Sequence, residues 1–238
     1  MIDLHAHVLP GLDDGPADSA GALDLLEAMV RDGTSTVVAS PHGVGSRYGV
    51  SGPQVLEAVR KLQDAARAAG LKVRILPGME LPLRADLVRL LRRGDALSIA
   101  GTRYVCVELP HQDLPWFTER ALFELAVAGY VPVINHPERN RAIQERPDRL
   151  ARMAERGVLA MLSAGSLLGD FGRTAQRLAE RFLKEGSATL VASDAHGLRT
   201  RPPALAAALE RAAALGKTDQ LAEMEILQEL ASTGLTAR

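Results

Sequence analysis

Short apolar runs rich in Val, Ile and Leu alternate with amphipathic stretches along most of the chain. Seven such runs lie near residues 2–5, 36–40 (TVVAS), 72–77 (KVRILP), 103–109 (RYVCVEL), 131–135 (VPVIN), 158–163 (VLAMLS) and 189–193 (TLVAS). Between them, apolar side chains recur at helical spacing. In 19–32, Leu23, Leu26, Met29 and Val30 share one face, with Ser19 placed as an N-cap and Gly33 as a stop. Segments 53–69, 117–128, 148–156 and 174–184 read the same way, and 203–230 reads as two further helices. Alternation on this scale predicts a parallel α/β sheet, and seven or eight units in one domain favour a closed barrel over an open sheet. No linker, repeat or low-complexity segment divides the chain, so residues 1–238 are expected to form a single domain. The loop GVGSRYGVSGP, residues 43–53, is glycine-rich enough for a mobile lid or a strained turn.

The polar side chains that interrupt this pattern are concentrated at the ends of the runs. Five of the six histidines sit at or just past the C-terminal end of a predicted strand: His5, His7, His42, His136 and His196. Glu80 follows the third strand, Glu108 ends the fourth and Asp194 ends the seventh, while Asp13 and Asp14 follow the first in DDGP. In barrels of parallel strands the active site is assembled at that end of the strands. Residues two apart on a strand share a face, which pairs His5 with His7 and Asp194 with His196. Taken singly, each of these is an ordinary turn or capping residue. Together they point to a metal centre. Five imidazoles and four carboxylates, taking one of Asp13 and Asp14, exceed the needs of one four-coordinate structural zinc, so two or three divalent ions fit better. Arg139 and Arg201 follow His136 and His196 closely, and Arg is suited to bidentate phosphate recognition.

Composition narrows the function further. A formal net charge of -1 gives no basic excess for nucleic acid or an anionic membrane. No apolar stretch is long enough to span a bilayer, and the N-terminus lacks a signal-peptide pattern. The one cysteine, Cys106, excludes a disulfide framework within the chain and fits a reducing cytoplasm. It also lacks an Arg six residues on, as a thiolate phosphatase would need, and its mid-strand position predicts a core residue. His111 reads as a rim residue. Trp116 and Phe117 read as core packing, or alternatively as a stacking surface for a tyrosine ring.

The stretches MIDLHAHVLPGLDDGP, VVASPH, LPGMEL, VELP, PVINHPERNRAIQERP and ASDAHGLRTRPP are jointly specific. Across them the chain resembles the PHP (polymerase and histidinol phosphatase) superfamily, and more narrowly its manganese-dependent bacterial protein-tyrosine phosphatases of capsule and exopolysaccharide operons. The resemblance implies a distorted seven-stranded (β/α)7 barrel. It implies a trinuclear centre held by His5, His7, Asp14, His42, Glu80, Glu108, His136, Asp194 and His196, choosing Asp14 over Asp13. It makes Arg139 and Arg201 the phosphate-contacting, catalytic arginines. The expected cofactors are two to three divalent ions, manganese first, with iron and zinc as alternatives. The expected chemistry is in-line attack on phosphorus by a metal-held hydroxide. The expected partner is a phosphotyrosine protein, namely the tyrosine-rich tail of a bacterial tyrosine kinase. Gly43, Gly197 and the glycine-rich loop depart from the common pattern and leave substrate preference open. Competing readings are a histidinol-phosphatase-like or other small-molecule phosphatase, a PHP nuclease, and a non-catalytic relic, which should have lost ligands.

Overall fold

The computed structural model describes residues 1–215. Eight strands are present: β1 Ile2–Ala6, β2 Thr36–Ala39, β3 Arg74–Pro77, β4 Leu81–Pro82, β5 Tyr104–Glu108, β6 Val131–Asn135, β7 Leu159–Ser163 and β8 Leu190–Ala192. All pairings are parallel, in a three-stranded sheet β1-β2-β3 and a five-stranded sheet β4-β5-β6-β7-β8. The helices are α1 Ser19–Arg31, α2 Gly52–Ala68, α3 Leu87–Arg93, α4 Thr118–Val127, α5 Arg141–Glu145, α6 Asp148–Ala154, α7 Ala164–Leu168, α8 Gly172–Glu185 and α9 Leu205–Ala214. The second of the two helices expected over 203–230 lies outside the described residues.

The expectation of seven strands in one barrel is therefore corrected, among the described residues, to eight strands in two sheets. The third apolar run ends at Pro77, just before Gly78, where a Cβ would lie 2.6 Å from Val38 Cγ1. The chain stays bonded to β2 there, Gly78 N–H donating to the Ala39 carbonyl at 2.9 Å. It resumes as the two-residue β4, which pairs with β5 instead. Pro77 and Pro82, the last residues of β3 and β4, have no N–H to donate and help end both strands.

The seams between the sheets lie beside the predicted site. At one, Gly43 N–H donates to the Glu80 carbonyl at 2.8 Å and Glu80 N–H to the Pro41 carbonyl at 3.1 Å. At the other, Asp194 N–H donates to the His5 carbonyl at 3.0 Å and His7 N–H to the Ala195 carbonyl at 2.8 Å. Two apolar clusters hold the layers together. Leu4, Val38, Leu76, Tyr104, Cys106, Val133, Met161 and Leu190 form an inner one, drawn from seven of the strands. The buried faces of the helices form the outer one, for example Leu25, Leu26 and Met29 of α1 and Leu178, Phe182 and Leu183 of α8. Cys106 is a core residue as expected, its thiol pushed up by burial.

Helix starts differ slightly from the pattern. Asp18, rather than Ser19, caps α1, accepting from Gly21 N–H at 2.9 Å. No helix among the described residues is long and apolar enough to cross a membrane.

Candidate metal centre

The HAH sequence reaches the site through a bulge. In β1, Asp3 pairs with Val37 but Ala6 with Ala39, so one extra residue is inserted between them. Leu4 joins the inner apolar cluster, yet His5 and His7 both face the polar end. A bulge re-aims side chains in this way. Asp3, buried beside it, accepts from the backbone N–H of His5 at 3.3 Å and of Ser193 at 3.1 Å, tying the bulge to the end of β8.

All nine side chains expected as ligands converge. Glu80 sits at the middle. Its Oε1 lies 3.4 Å from His5 Nε2 and 3.0 Å from His136 Nε2, and its Oε2 lies 3.0 Å from His42 Nδ1 and 3.6 Å from His7 Nε2. Glu108 Oε2 is 3.6 Å from His42 Nδ1. Asp194 Oδ1 faces His5, His7 and His196 at 3.4, 3.9 and 3.7 Å. Asp14 Oδ1 faces His42 and His196 at 3.4 and 3.5 Å. Three groups each bring their donor atoms within 4.8 Å of one another: His7, Asp14, His42 and His196; His5, His7 and Glu80; His42, Glu80 and Glu108. They share members, so neighbouring ions would share ligands.

The outer oxygens of the two aspartates have other partners. Arg139 Nη1 donates to Asp194 Oδ2 at 2.8 Å, and Arg201 Nη2 to Asp14 Oδ2 at 2.9 Å. Each carboxylate thus turns one oxygen to an arginine and the other to the histidines, and Arg201 Nη1 also lies 3.7 Å from Asp194 Oδ1.

The electrostatics match a set of metal donors. Burial alone would raise Glu80 and Asp194, but the surrounding histidines bring both well below the usual carboxylate range. The close approach of His196 and His42 does the same for Asp14. Burial drives His7 down to about 4, leaving a neutral imidazole. His42 is pushed up to about 11, because Asp14 and Glu80 outweigh its burial. Burial and the charge of Glu80 raise Glu108. Four buried atoms in this cluster, His5 Nε2, His7 Nε2, His196 Nε2 and Asp194 Oδ1, have no hydrogen-bond partner. Buried polar atoms left without partners are costly. Bound cations would satisfy them, so the residues fit a divalent metal.

The HPERN turn is explained residue by residue. His136 adopts φ +36° and follows Asn135, whose Nδ2 donates to Glu80 Oε1 at 2.9 Å. Glu138 is buried and accepts from Ser163 N–H at 3.2 Å, fixing the turn to β7. Arg139 reaches Asp194 while lying 4.2 Å over the Phe171 ring. Asn140 caps α5, accepting from Ile143 N–H at 2.9 Å, and donates to the Asp113 carbonyl at 3.1 Å. Asp194 and Arg201 also have positive φ, both +53°. Such strained backbone persists where surrounding structure over-determines it, as at active sites.

Sequence reasoning missed several contributors. Asp13 Oδ2 is 2.6 Å from His7 Nδ1 and accepts from His42 N–H at 3.0 Å, so it orients two of the histidines. Only its adjacency to Asp14 hinted at this. Asn135, Asp3 and Phe171 gave no signal of their own. The 43–53 loop is a tight turn, with Gly45 and Gly49 at φ +97° and +62° and a bridge between Gly43 and Val50. It brings Arg47 and Tyr48 to the rim of the open cleft above the centre, about 550 Å³ in volume. His111 is at that rim, exposed, with Nε2 3.8 Å from Glu108 Oε1. Trp116 belongs neither to the core nor to the cleft. It is 90% exposed, while Phe117 packs partly on the core.

Comparison with known proteins agrees with this geometry. A family model described as capsular polysaccharide synthesis, CpsB/CapC, matches residues 1–231. The tyrosine-protein phosphatase YwqE of Bacillus subtilis (strain 168) is 36% identical over 201 residues, covering 84% of this chain and 79% of that protein. The tyrosine-protein phosphatase CpsB of Streptococcus agalactiae is 26% identical over 213 residues, covering 87% and 88%. A chain from the crystal structures of YwqE from Bacillus subtilis and CpsB from Streptococcus pneumoniae, described as unique metal-dependent tyrosine phosphatases, matches with TM-score 0.86 and 35% identity. It covers 89% of this chain and 85% of that one. On the extent of these matches, this chain belongs to the CpsB/CapC family of capsular polysaccharide synthesis.

Proposed function

We propose that this chain is a metal-dependent protein-tyrosine phosphatase, a phosphoric monoester hydrolase serving capsule or exopolysaccharide synthesis. The observation that carries this reading is the set of four unpartnered buried donor atoms, ringed by ionised carboxylates and bordered by two arginines. The family and the phosphatases named within it support the same chemistry.

His5, His7, Asp14, His42, Glu80, Glu108, His136, Asp194 and His196 would hold two to three divalent ions, manganese first and iron or zinc as alternatives. Such ions, when bound, supply a water acidic enough to ionise near neutral pH and neutralise charge on a phosphoryl group. The protein's own share is positioning. Arg139 and Arg201 border the cleft and bind phosphoryl oxygens as charge-assisted donors. Phe171, under the Arg139 guanidinium, and Asp194, bonded to it, keep that donor aimed. Asp13 keeps His7 in one tautomer. A tyrosine leaving group has a conjugate-acid pKa of about 10, so it departs more readily than an alkoxide. The substrate we favour is the tyrosine-rich tail of a bacterial tyrosine kinase, and the place the cytoplasm, where the lone buried Cys106 stays reduced.

The test is hydrolysis of a phosphotyrosine peptide with added Mn²⁺, with and without chelator, beside histidinol phosphate. Chelator-sensitive turnover that prefers the peptide is expected. Preference for histidinol phosphate would overturn the substrate class. Silence on both with metal bound would overturn the phosphatase reading and point to nucleic acid or another phosphoester.

A further inference from the structure

We propose that Tyr48, presented by the glycine-rich turn between Gly43 and Val50, is the aromatic wall that selects aryl over alkyl phosphoesters. This rests on the phosphatase reading above and adds a specificity determinant to it.

The cleft has two kinds of lining. Its floor is ionic, with Asp14, His42, Glu80, Glu108, His136 and the two arginines. Around it, Tyr48, Pro82, Leu83, Leu109 and Pro110 give an apolar collar, interrupted by Ser46, Arg47 and His111. A phosphoester whose phosphoryl group lies on the floor must place its organic group against this collar. The chain is poor in aromatics, and among the described residues Tyr48 is the only Phe, Tyr or Trp that lines the cleft. An aromatic edge and apolar neighbours favour a phenyl ring far more than a flexible alkyl chain.

Tyr48 is placed by construction rather than by chance. Gly45 and Gly49 hold left-handed backbone on either side of it. Ser46 Oγ accepts from Tyr48 N–H at 3.1 Å and from Gly49 N–H at 3.3 Å, closing the turn. A side chain at Gly45 would collide with the Arg84 guanidinium, which Asp86 fixes at 2.6 and 3.0 Å. The Tyr48 ring stacks on His42 at 5.5 Å and 9°. The Arg47 guanidinium, 4.6 Å from the ring centroid, also donates to the Tyr48 hydroxyl. The aromatic side chain is therefore aligned with His42, the histidine of the centre nearest the cleft's opening, 16% exposed where His5, His7 and His196 are at most 2%.

The same stacking makes a competing role possible: Tyr48 could merely steady His42. Equilibrium binding separates the two. Mn²⁺-loaded wild type, Tyr48→Ala, Tyr48→Leu and Tyr48→Phe would be titrated by calorimetry with phenylphosphonate and with inorganic phosphate, with metal content measured in each. We expect Tyr48→Ala and Tyr48→Leu to weaken phenylphosphonate about tenfold more than phosphate, and Tyr48→Phe to keep the wild-type ratio. Equal weakening of both ligands, or loss of metal in step with it, would reduce Tyr48 to a support for His42 and overturn the proposal. An unchanged ratio in both Tyr48→Ala and Tyr48→Leu would overturn it too. If wild type bound neither ligand, the phosphatase reading itself would fall with it.

Discussion

Asp13 and Asp14 are neighbours with the same side chain, and the fold gives them different partners. Asp14 turns Oδ1 to His42 and His196, whereas Asp13 is spent on His7 Nδ1, on the His42 N–H and on the Gly15 N–H. A carboxylate behind a ligating imidazole fixes its tautomer and raises its basicity, and losing it typically costs 10–100-fold in metal affinity. Asp13→Asn keeps the size and some of the hydrogen bonding but not the charge. Its Mn²⁺ affinity, measured by competition with a chelating dye, should fall roughly tenfold or more. Wild-type affinity in that variant would show that His7 needs no such support.

At the scale of elements, two irregularities place the centre. The bulge in β1 lets Leu4 fill the interior while His5 and His7 face the polar end. At the end of β3, Gly78 lies close against β2, and two residues on Glu80 bridges to His42 with its carboxylate in the middle of the cluster. Gly78→Ala tests the second. Its methyl would press on Val38 Cγ1 at 2.6 Å, and overpacking of this kind costs about 1–3 kcal/mol. The urea midpoint should drop accordingly, and metal affinity should drop with it because Glu80 is two residues away. A variant as stable as wild type would show that β2 has room for the methyl.

For the molecule as a whole, the seams between the two sheets are stitched beside the ionic cluster, so stability and metal loading are coupled. Metal at 100 times its dissociation constant stabilises by about 2.7 kcal/mol. For a chain of this size that corresponds to roughly 5–11 °C in Tm. Chelation should lower Tm by that order, and an unchanged Tm would mean the centre forms without ions. The chelated protein should also respond to alkali. His42, pushed up to about 11 from 6.5, and His136, also raised, bind protons more tightly folded than unfolded. Their contribution is complete below about pH 6.5 and is lost as pH rises through the folded values. Tm of the chelated protein should therefore fall between pH 6.5 and 9, and a rise over that range would contradict the ion-pair geometry.

Much was readable from residue order alone. Parallel α/β architecture followed from alternating periodicity, because a strand or a helix must repeat its apolar face to be buried. The gathering of histidines and acids followed too, because parallel strands bring their C-terminal ends to one side. Cys106 declared itself a core residue by lying mid-strand. What residue order left open depended on contacts between distant segments. The two-residue β4 carries too little pattern to notice, and is defined by its pairing with β5. The division between Asp13 and Asp14 depends on where His7 and His42 arrive from separate strands. Trp116 looked like packing or a stacking surface and turned outward, while Tyr48, unremarked in a glycine-rich loop, lines the cleft. Local sequence determines which elements form and at which ends their polar residues lie. Register, close approach and the aim of single side chains were decided only when those elements packed, since each depends on atoms tens of residues away.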